Sequence, residues 1–488
     1  MDRRDFLKAA GTGVIVAGGG FSWAQTPIRP LPIMAMNDLN NGIDQRIPLA
    51  LNPGTHDFGN GAQSETFGIN NDYLGPVIRV KQGQTLPFDV ANNIGEKVAI
   101  HWHGLHVPGA VDGGPHQEIE DGAVWSPDVP IVQRASMNWF HSHTHGTTAR
   151  QTYMGLAGVL LVEDDASLSA DLPKTYGVDD FTLVLQDKAF DGAGRMTYEL
   201  TGEVFEDGFQ GETLVVNGAI APVGQDVPTG LVRLRVLNAC NARFLELSMQ
   251  NGPITVIATE GGFLSSPVQM DAILLSPGER YEVLIDMRTT DLNSLLVNLG
   301  GEQNGFFANW FGGGQAQTAL ELRRTDTQGF DGSMPQSLAN LSPPDPSEAT
   351  VTREFSLQMD TGADLAALAL AWGNICGGGA MAINGQPMKM DRIDERVRKG
   401  DTEIWRISVD DMLHPFHIHG CSFRILSQND GPPPSYAAGW KDMVHVEEGW
   451  SEVLVRFDYE ATEETPYMYH CHILEHEDCG MMGQFTVT

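Results

Sequence analysis

The sequence predicts an all-β protein made of three related β-sandwich domains. Its 488 residues include 55 Gly and 27 Pro, a usage that favours many short strands joined by turns. Hydrophobic residues make up 41% and charged residues 19%, which excludes a disordered chain and a coiled coil. A segment of similar pattern also recurs along the chain, and a repeat of this length is typical of an array of related domains.

The charge balance narrows the expected partners. Lys and Arg number 30 against 63 Asp and Glu, so the formal net charge is −33. Such a charge repels phosphate groups and anionic lipid, which argues against nucleic acid and a membrane surface as partners. Cationic or neutral small ligands are favoured, and we expect a monomer.

The first 24 residues have the pattern of an export signal. Arg3 and Arg4 form a twin-arginine pair, a mildly apolar stretch covers 9–20, and residues 22–24 fit a small-x-small cleavage site. No other stretch reaches the ~18 continuous apolar residues of a membrane span. We therefore expect a periplasmic protein that is exported by the twin-arginine route and has no membrane span.

The recurring segment is an alternating strand that leads to a pair of histidines. The strand 86–90 leads to His-Trp-His-Gly at 101–104, and the strand 403–409 leads to His-Ile-His-Gly at 417–420. The middle copy has the strand 231–237, but Asn-Ala-Cys-Asn follows it where a histidine pair would stand. Two copies therefore carry metal-binding side chains and the middle copy does not.

The ends of the first and third copies also match. Trp-Phe-His-Ser-His at 139–143 and Tyr-His-Cys-His at 469–472 both precede a Met-Gly pair and a closing strand. Polar linkers are predicted over 164–180 and 325–350, and only the Ala- and Leu-rich stretch 363–372 is predicted as a helix. The predicted division is a signal peptide over 1–24 and domains over 25–175, 176–330 and 331–488.

Histidines are the residues that indicate chemistry. Of the 15 His, most fall in four short clusters, which are His101/His103, His141/His143, His414/His417/His419 and His470/His472/His476. Residues i and i+2 of a strand project from the same face, so each His-x-His directs two imidazoles the same way. Imidazole suits Cu, Zn and Fe, and four clusters paired in two repeats indicate a metal centre rather than core histidines.

The last cluster indicates which metal. His414, Cys471, His476 and Met481 supply two imidazoles, a thiolate and a thioether, which is the ligand set of blue-copper electron-transfer sites. A zinc site with Cys and His would not need the methionine. Because strand residues alternate, Cys471 is expected to face away from its two neighbouring histidines, so one strand serves two copper sites. Ser142 takes the matching place in the first repeat, which predicts a single blue site.

These motifs resemble the four copper motifs of multicopper oxidases. The motifs are His-Trp-His-Gly, Trp-Phe-His-Ser-His, His-Pro-Phe-His-Ile-His-Gly and His-Cys-His-x3-His-x4-Met, and they span the chain after the signal peptide. Segments 111–115, 186–188, 438–442 and 475–478 are most similar to bacterial copper-efflux (cuprous) oxidases. The resemblance implies three cupredoxin-like Greek-key domains and four coppers, one of type 1, one of type 2 and two of type 3.

The resemblance also implies a role for each histidine. His101 and His417 would hold the type 2 copper, His103, His141 and His472 one type 3 copper, and His143, His419 and His470 the other. The implied reaction is one-electron oxidation of a donor at the blue site and reduction of O2 to two waters at the histidine cluster. Asp112 and Glu477 are candidate catalytic acids that supply protons, and the alternative for each is an ordinary solvated carboxylate.

The electron donor is less well specified. Asp410 and Met412 lie just before His414 and resemble the substrate-copper site of cuprous oxidases, since thioethers suit Cu(I) and carboxylates suit Cu(II). Met359, Asp360 and Asp364 could close that site. Packing methionines and solvated aspartates are the alternative. The segment 361–382 is short and contains only Met381, unlike the long Met- and His-rich insertion of many copper-efflux oxidases. A laccase-like oxidase of phenols or aromatic amines therefore remains an alternative, and a non-enzymatic copper carrier would not need the first-domain histidines.

Four further cysteines have no assigned metal. Cys240, Cys376, Cys421 and Cys479 could be free or paired, and the sequence does not choose between these states. Buried free thiols are the expectation for Cys240 and Cys421.

Overall fold

The computed structural model describes residues 28–299, 316–359, 381–410 and 412–488. The predicted signal peptide and the predicted helix over 363–372 lie outside these residues. The described part is built mainly from strands that form six sheets, and each sheet takes nearly all of its strands from one third of the chain. The predicted all-β fold class is therefore confirmed.

The first domain contains two sheets from residues 36–163. The strands of this part of the chain are β1 (Arg29–Pro30), β2 (Met36–Asp38), β3 (Ile47–His56), β4 (Ser64–Ile69), β5 (Val77–Lys81), β6 (Thr85–Asn92), β7 (Ile100–His103), β8 (Val124–Trp125), β9 (Asp128–Pro130), β10 (Ser136–Ser142) and β11 (Ala157–Glu163). One sheet has the order β2-β5-β11-β10-β7, and the other has β4-β3-β6-β8 with β9 also paired on β6.

The second domain uses residues 180–328. Its strands are β12 (Asp180–Phe190), β13 (Met196–Thr197), β14 (Thr213–Val216), β15 (Ala219–Ile220), β16 (Val223–Thr229), β17 (Leu231–Asn238), β18 (Leu245–Met249), β19 (Ile254–Thr259), β20 (Gly262–Met270), β21 (Ala272–Leu275), β22 (Arg280–Asp286), β23 (Leu292–Asn298) and β24 (Gln317–Gln328). The sheet orders are β1-β16-β24-β23-β18-β21 and β15-β14-β12-β17-β22-β19-β20, with β13 on β12. β1 therefore joins a sheet of the second domain.

The third domain uses residues 351–487. Its strands are β25 (Val351–Met359), β26 (Met381–Ile383), β27 (Glu395–Val397), β28 (Thr402–Val409), β29 (His414–Ile418), β30 (Phe423–Gln428), β31 (Met443–Val446), β32 (Gly449–Arg456), β33 (Tyr467–Cys471) and β34 (Met482–Val487). Its two sheets have the orders β26-β25-β28-β32-β30 and β27-β34-β33-β29-β31. We propose the three domain boundaries on the basis of these pairs of sheets.

The three strands predicted from the repeat lie within β6, β17 and β28. The burial of their side chains shows whether one or both faces of each strand are packed. Buried side chains alternate along β6 and along most of β28, as in strands with one face on a core. Every residue of β17 is buried. Its Arg235 pairs with the carboxylate of Asp180, and its Arg233 pairs with Glu282, so these buried charges are compensated.

Short helices connect the strands. The α-helices among the described residues are α1 (Thr148–Met154), α2 (Asp165–Ser169), α3 (Gly202–Asp207) and α4 (Leu474–Asp478), and the 3-10 turns are Gly109–Val111, Pro115–Gln117, Pro346–Glu348 and Ser435–Ala437. The prediction of a single helix was therefore wrong. Helices this short have no readable period in sequence, and α1 is held by a distant contact, since both Asp478 carboxylate oxygens accept 2.9 Å hydrogen bonds from the Thr148 and Ala149 amides. None of the described helices is long and apolar enough to cross a bilayer.

The cysteines agree with what the sequence suggested. Cys240 and Cys421 are buried free thiols, as expected, and Cys471 is a third buried free thiol. Cys479 is disulfide-bonded.

A buried ion cluster fastens the second domain to the third. The ammonium of Lys441 lies 3.0 Å from Glu260 Oε2 and 2.7 Å from Glu279 Oε1, and it also donates to the Tyr281 hydroxyl at 3.1 Å. Burial by itself lowers the pKa of Lys441, but the two carboxylates raise that pKa above its ordinary value. The charged form is thus held at this interface.

Replacing this lysine is expected to destabilise the protein. Lys441→Met leaves two buried carboxylates without a cation, and we expect the free energy of unfolding to fall by about 3–5 kcal/mol. Denaturant unfolding followed by tryptophan fluorescence measures the change. The control is Lys97→Met, because Lys97 pairs with Glu118 and Glu120 at the exposed surface. Equal effects of the two variants would contradict the role of Lys441.

Candidate metal centres

Eight buried imidazoles converge between the first and third domains. In the first domain His141 on β10 lies directly opposite His101 on β7, and in the third His470 on β33 lies opposite His417 on β29. These pairs and their i+2 neighbours form the eight-histidine cluster, which consists of His101, His103, His141, His143, His417, His419, His470 and His472. No member is more than 1% exposed, so the cluster is shielded from solvent.

Three of the imidazoles form a triangle of nitrogen atoms. The Nε2 atoms of His143, His419 and His470 lie 3.2–3.3 Å from one another. The Nδ1 atoms of His419 and His470 face outward to acceptors, which are Asp112 Oδ2 at 2.7 Å and the Cys471 carbonyl oxygen at 3.0 Å, while His143 Nδ1 lies 3.4 Å from Glu477 Oε1 without a hydrogen bond. His419 and His470 therefore carry the proton on Nδ1, and the Glu477 carboxylate near His143 favours the same tautomer there, so three Nε2 lone pairs point at one another.

This arrangement fits a metal ion. The centre of a triangle of that side lies about 1.9 Å from each corner, close to the ~2.0 Å that imidazole nitrogen keeps from zinc. Without a cation the three lone pairs repel one another in a buried site, whereas a cation converts the repulsion into three bonds.

A second group of imidazoles also has ring nitrogens that face one another while the opposite nitrogens face acceptors. His103 Nδ1 lies 3.3 Å from His141 Nε2, and each ring has an acceptor for its other nitrogen, Asp442 Oδ1 at 3.2 Å and the Ser142 carbonyl oxygen at 2.8 Å. The facing nitrogens are therefore both lone pairs. His472 completes the group, and neither of its ring nitrogens has a hydrogen-bond partner.

The remaining pair consists of His101 and His417. Their Nδ1 atoms lie 3.0 Å and 2.8 Å from the carbonyl oxygens of Asp112 and Asp442, and their buried Nε2 atoms have no partner. Backbone carbonyls thus fix the tautomer that leaves Nε2 free to bind a metal.

Burial keeps the imidazoles in the form that binds metals. It lowers the pKa of His143 and His472 to about 3, and it lowers the pKa of His103, His417 and His419 well below the ordinary value. A neutral imidazole has a free lone pair, so these rings are ready ligands near neutral pH.

A separate site lies on the other side of β33. The Sγ atom of Cys471 is 3.3 Å from His414 Nδ1 and 3.8 Å from His476 Nδ1, and the Glu206 carbonyl oxygen accepts from His476 Nε2 at 2.9 Å. Met481 is fully buried, and its carbonyl oxygen accepts from the Cys471 amide. Burial raises the pKa of the Cys471 thiol, so a thiolate at this place requires a cation. Two imidazoles and a thiol fit copper, and Met481 is joined to Cys471 through a main-chain hydrogen bond.

The two predicted catalytic acids are not solvated. Asp112 contacts His419 as described, lies 3.4 Å from His101 Nδ1, and has a buried Oδ1 without a partner. Glu477 is also buried, and its Oε2 lies 3.1 Å from His470 Nδ1. Burial by itself raises the pKa of Glu477, but His143 and His470 lower that pKa to about 2. Both carboxylates therefore belong to the wall of the eight-histidine cluster.

One important carboxylate was missed in the sequence. Asp442 contacts His103 and receives a bidentate pair of 2.7 Å hydrogen bonds from Arg280 of the second domain. Gly104 leaves room for this pair, since a Cβ there would lie 2.6 Å from Arg280 Nη2 and from Asp442 Oδ2. The segment 438–442 was noted only as part of the resemblance, and nothing in it indicates that its last residue faces the metal ligands.

The structure brings some of the predicted donor-site residues to the same end of a sheet. Met359 ends β25 and Asp410 follows β28, and these strands pair in register up to Leu357 and Val409, so both residues lie at the same end of the sheet. Asp410 is exposed, Met359 and Met412 are half-buried, and β29 begins at His414. Asp360 and Asp364 lie outside the described residues.

Comparison with known families gives one consistent match. Three family models, each described as multicopper oxidase, match residues 51–167, 168–308 and 344–488.

Similar proteins cover 94% or more of the chain. The cell division protein FtsP of Salmonella typhimurium is 35% identical over 496 residues, which cover 100% of this chain and 99% of that protein. The laccase-like multicopper oxidase CueO of Ochrobactrum sp. is 40% identical with a TM-score of 0.86, covering 94% of this chain and 100% of that one. McoA, a multicopper oxidase of Aquifex aeolicus, is 31% identical with a TM-score of 0.82, covering 95% of this chain and 100% of that one.

Removing the thiol is expected to abolish one site and spare the other. Cys471→Ser should eliminate the intense visible absorption of a copper–thiolate bond and lower the bound copper by about one ion per chain. The reason is that a serine hydroxyl is a harder and weaker ligand for copper than a thiolate. Visible spectroscopy and metal analysis measure both. Cys240→Ser is the matched control, because Cys240 is a buried free thiol of the second domain. Visible absorption that persists in Cys471→Ser would refute the assignment.

Proposed function

Because the chain belongs to the multicopper oxidase family, we propose that it couples one-electron oxidation of Cu(I) to four-electron reduction of O2, for copper tolerance in the periplasm. The observation that carries this proposal is the pair of sites on the two sides of β33, each with at least three converging donor atoms. The N-terminal twin-arginine pattern supports export by that route.

We assign four coppers to these residues. His414, Cys471, His476 and Met481 would hold the type 1 ion, and the eight histidines would hold the type 2 ion and two type 3 ions as the resemblance implies. When bound, the coppers would accept single electrons from a donor and deliver four of them to O2, which yields two waters. Two of the groups of imidazole nitrogens described above support the two type 3 assignments.

The chain joins the two sites covalently. Cys471 belongs to the first site, and the residues on either side of it, His470 and His472, belong to the eight-histidine cluster. Only main-chain and side-chain bonds therefore separate the thiol from two of the imidazoles. The strand also fixes their opposite directions, so the connection does not depend on a mobile element.

Asp112 is proposed to supply protons for O2 reduction, and Glu477, whose lowered pKa keeps it ionised near neutral pH, is proposed to relay them. Each touches two imidazoles of the cluster and is shielded from bulk water. The unpartnered Oδ1 of Asp112 is available to carry a proton, while Oδ2 orients His419. A carboxyl group at this place can orient the ligands and deliver a proton next to the reacting oxygen.

Cu(I) is the proposed donor because soft and acidic groups lie next to the cysteine site. Met359, Met412 and Asp410 lie at the end of the sheet where the chain turns into β29, which begins with His414. Thioethers favour Cu(I), a carboxylate favours the Cu(II) product, and the net charge of −33 attracts cations. These features support a cuprous oxidase.

Two of the similar proteins raise other possible roles for this chain. The Ochrobactrum protein is described with oxidase activity towards lignin model compounds and lignosulfonate, which supports laccase-like oxidation of phenols here as the second candidate. The FtsP relatives are named cell division proteins, and a purely structural role in division would not require buried lone pairs that converge on two sites. The donor atoms therefore favour an oxidase over a structural role.

Oxygen uptake distinguishes the candidate donors. We expect the copper-loaded protein to oxidise Cu(I) with a higher kcat/KM than a dimethoxyphenol, without added Cu(II). Met412→Leu and Asp410→Ala should each lower kcat/KM for Cu(I) by about 10-fold while the visible absorption is unchanged, because both side chains would contact the substrate ion.

The matched controls are Met334→Leu, a half-buried methionine of the 325–350 linker, and Asp271→Ala, an exposed aspartate of the second domain. Efficient phenol oxidation with poor Cu(I) oxidation would make the protein a laccase. Absence of oxygen uptake with either donor, despite four bound coppers, would refute both candidates.

The proton role of Asp112 has its own test. Asp112→Asn keeps the size and the acceptor oxygen but cannot supply a proton, so we expect kcat to fall by about 100-fold or more. Copper content and visible absorption should be unchanged. Asp286→Asn, at an exposed ion pair with Arg288, is the control. A parallel loss of copper and of activity would instead mean that Asp112 only positions the ligands.

A further inference from the structure

A cluster made only of methionines lies beside the eight-histidine cluster. Met388, Met468 and Met482 are buried at 7%, 0% and 1% exposure, and the half-buried Met390 packs against them. Every other core cluster of the described residues contains leucine, isoleucine or valine, whereas this one contains none. We name these four residues the methionine cluster.

The β33–β34 pair brings this cluster to the metal ligands. Met482 lies directly opposite His470, and Met468 lies opposite Gln484. Because Met468 and His470 are two residues apart on one strand, both face the same side, which is opposite to the Cys471 side. The methionine cluster is therefore separate from the cysteine site and from the proposed donor site.

Residues of the first domain lie against the methionine cluster on the side that faces the histidines. A Cβ added to Gly114 would lie 3.8 Å from Met468 Cγ and 3.7 Å from Asp112 Oδ2, so Met468 and the Asp112 carboxylate flank the same glycine. Asp112 Oδ2 in turn contacts His419. The Asp112 carboxylate thus contacts the triangle of imidazoles and lies near the same glycine as Met468.

The buried side chain of Gln484 holds the segment that carries Met388 and Met390. Gln484 donates from Nε2 to the carbonyl oxygens of Lys389 and Met390 at 3.1 Å each, and its Oε1 lies 2.8 Å from His116 Nε2. These bonds fix the connection between β26 and β27, which carries Met388 and Met390. The half-buried Met390 is the member that reaches the surface.

We propose that the methionine cluster is a Cu(I)-binding site through which copper enters the eight-histidine cluster during assembly of the metal centre. Thioethers bind Cu(I) in preference to harder cations, and a row of weak, exchangeable ligands passes an ion inward without trapping it. The ion remains Cu(I) throughout, since each step exchanges one thioether for the next and finally for imidazole. The inference rests on the proposed copper-binding function, because it requires that the histidines accept copper.

The first experiment detects binding directly. Ag(I), which is soft and redox-inert, is titrated into the copper-loaded, fully reduced protein under anaerobic conditions, with 13C-methyl methionine as the NMR reporter. We expect the methyl signals of the four clustered methionines to shift, with assignments from single Met→Leu variants. Signals that stay in place up to several equivalents of Ag(I) would overturn the proposal.

The second experiment measures entry. Metal-free protein receives Cu(I) anaerobically, a chelator stops the reaction, and metal analysis follows copper uptake with time. The double variant Met388→Leu, Met390→Leu should fill the histidine cluster ~10-fold more slowly and reach the same final copper content, since leucine keeps the volume but not the sulfur. Uptake at the wild-type rate would overturn the proposal.

Controls separate this inference from the proposed function. Met249→Leu changes a buried methionine of the second domain and should leave the uptake rate unchanged. Met390→Leu alone, at a half-buried position, gives the answer if the double variant folds poorly. Copper that enters at a methionine-dependent rate without later oxidation of Cu(I) would refute the proposed donor and retain the entry site. Normal oxidation of Cu(I), together with copper uptake that does not depend on the methionines, would refute the entry site and retain the proposed donor.

Discussion

The structure depends on keeping neutral imidazoles face to face in a dry interior. The Nε2 atoms of His143, His419 and His470 lie 3.2–3.3 Å apart, a spacing that is unfavourable for lone pairs and favourable for a shared cation. Carboxylates and carbonyl oxygens on the outer side decide which nitrogen carries the proton. The first and third domains each supply half of the rings, so the candidate metal ligands form part of the domain interface.

The second domain contributes support rather than ligands. Arg280 donates to both Asp442 oxygens in the third domain and to the Met137 carbonyl oxygen in the first, so one side chain connects three domains at the cluster. Asn241, from the segment that replaces the histidine pair, donates to Glu475 at 2.7 Å, one residue from His476. The repeat without a histidine pair therefore supports the other two through these contacts.

Strand β33 organises the chemistry because alternate residues serve different purposes. Cys471 faces one site, while His470 faces the eight-histidine cluster together with Met468 from the same strand and Met482 from β34. The proposed electron entry and the proposed metal entry would thus use opposite sides of one strand. A shift of its register by one residue would exchange the two sides and destroy both sites.

The sequence by itself determined the all-β fold class, the strands of the repeat and the groups of histidines, because period-two alternation and His-x-His spacing act over a few residues. It also pointed to Asp112 and Glu477 through their places beside the histidine motifs. It did not determine the short helices, since α1 depends on Asp478, which lies more than 300 residues away in sequence. Only the tertiary structure decided that Asp442 and Arg280 bound the cluster and that four methionines from two strands and a connection gather beside it. The physical reason is that these contacts join distant segments through packing and buried charge, for which no local pattern exists.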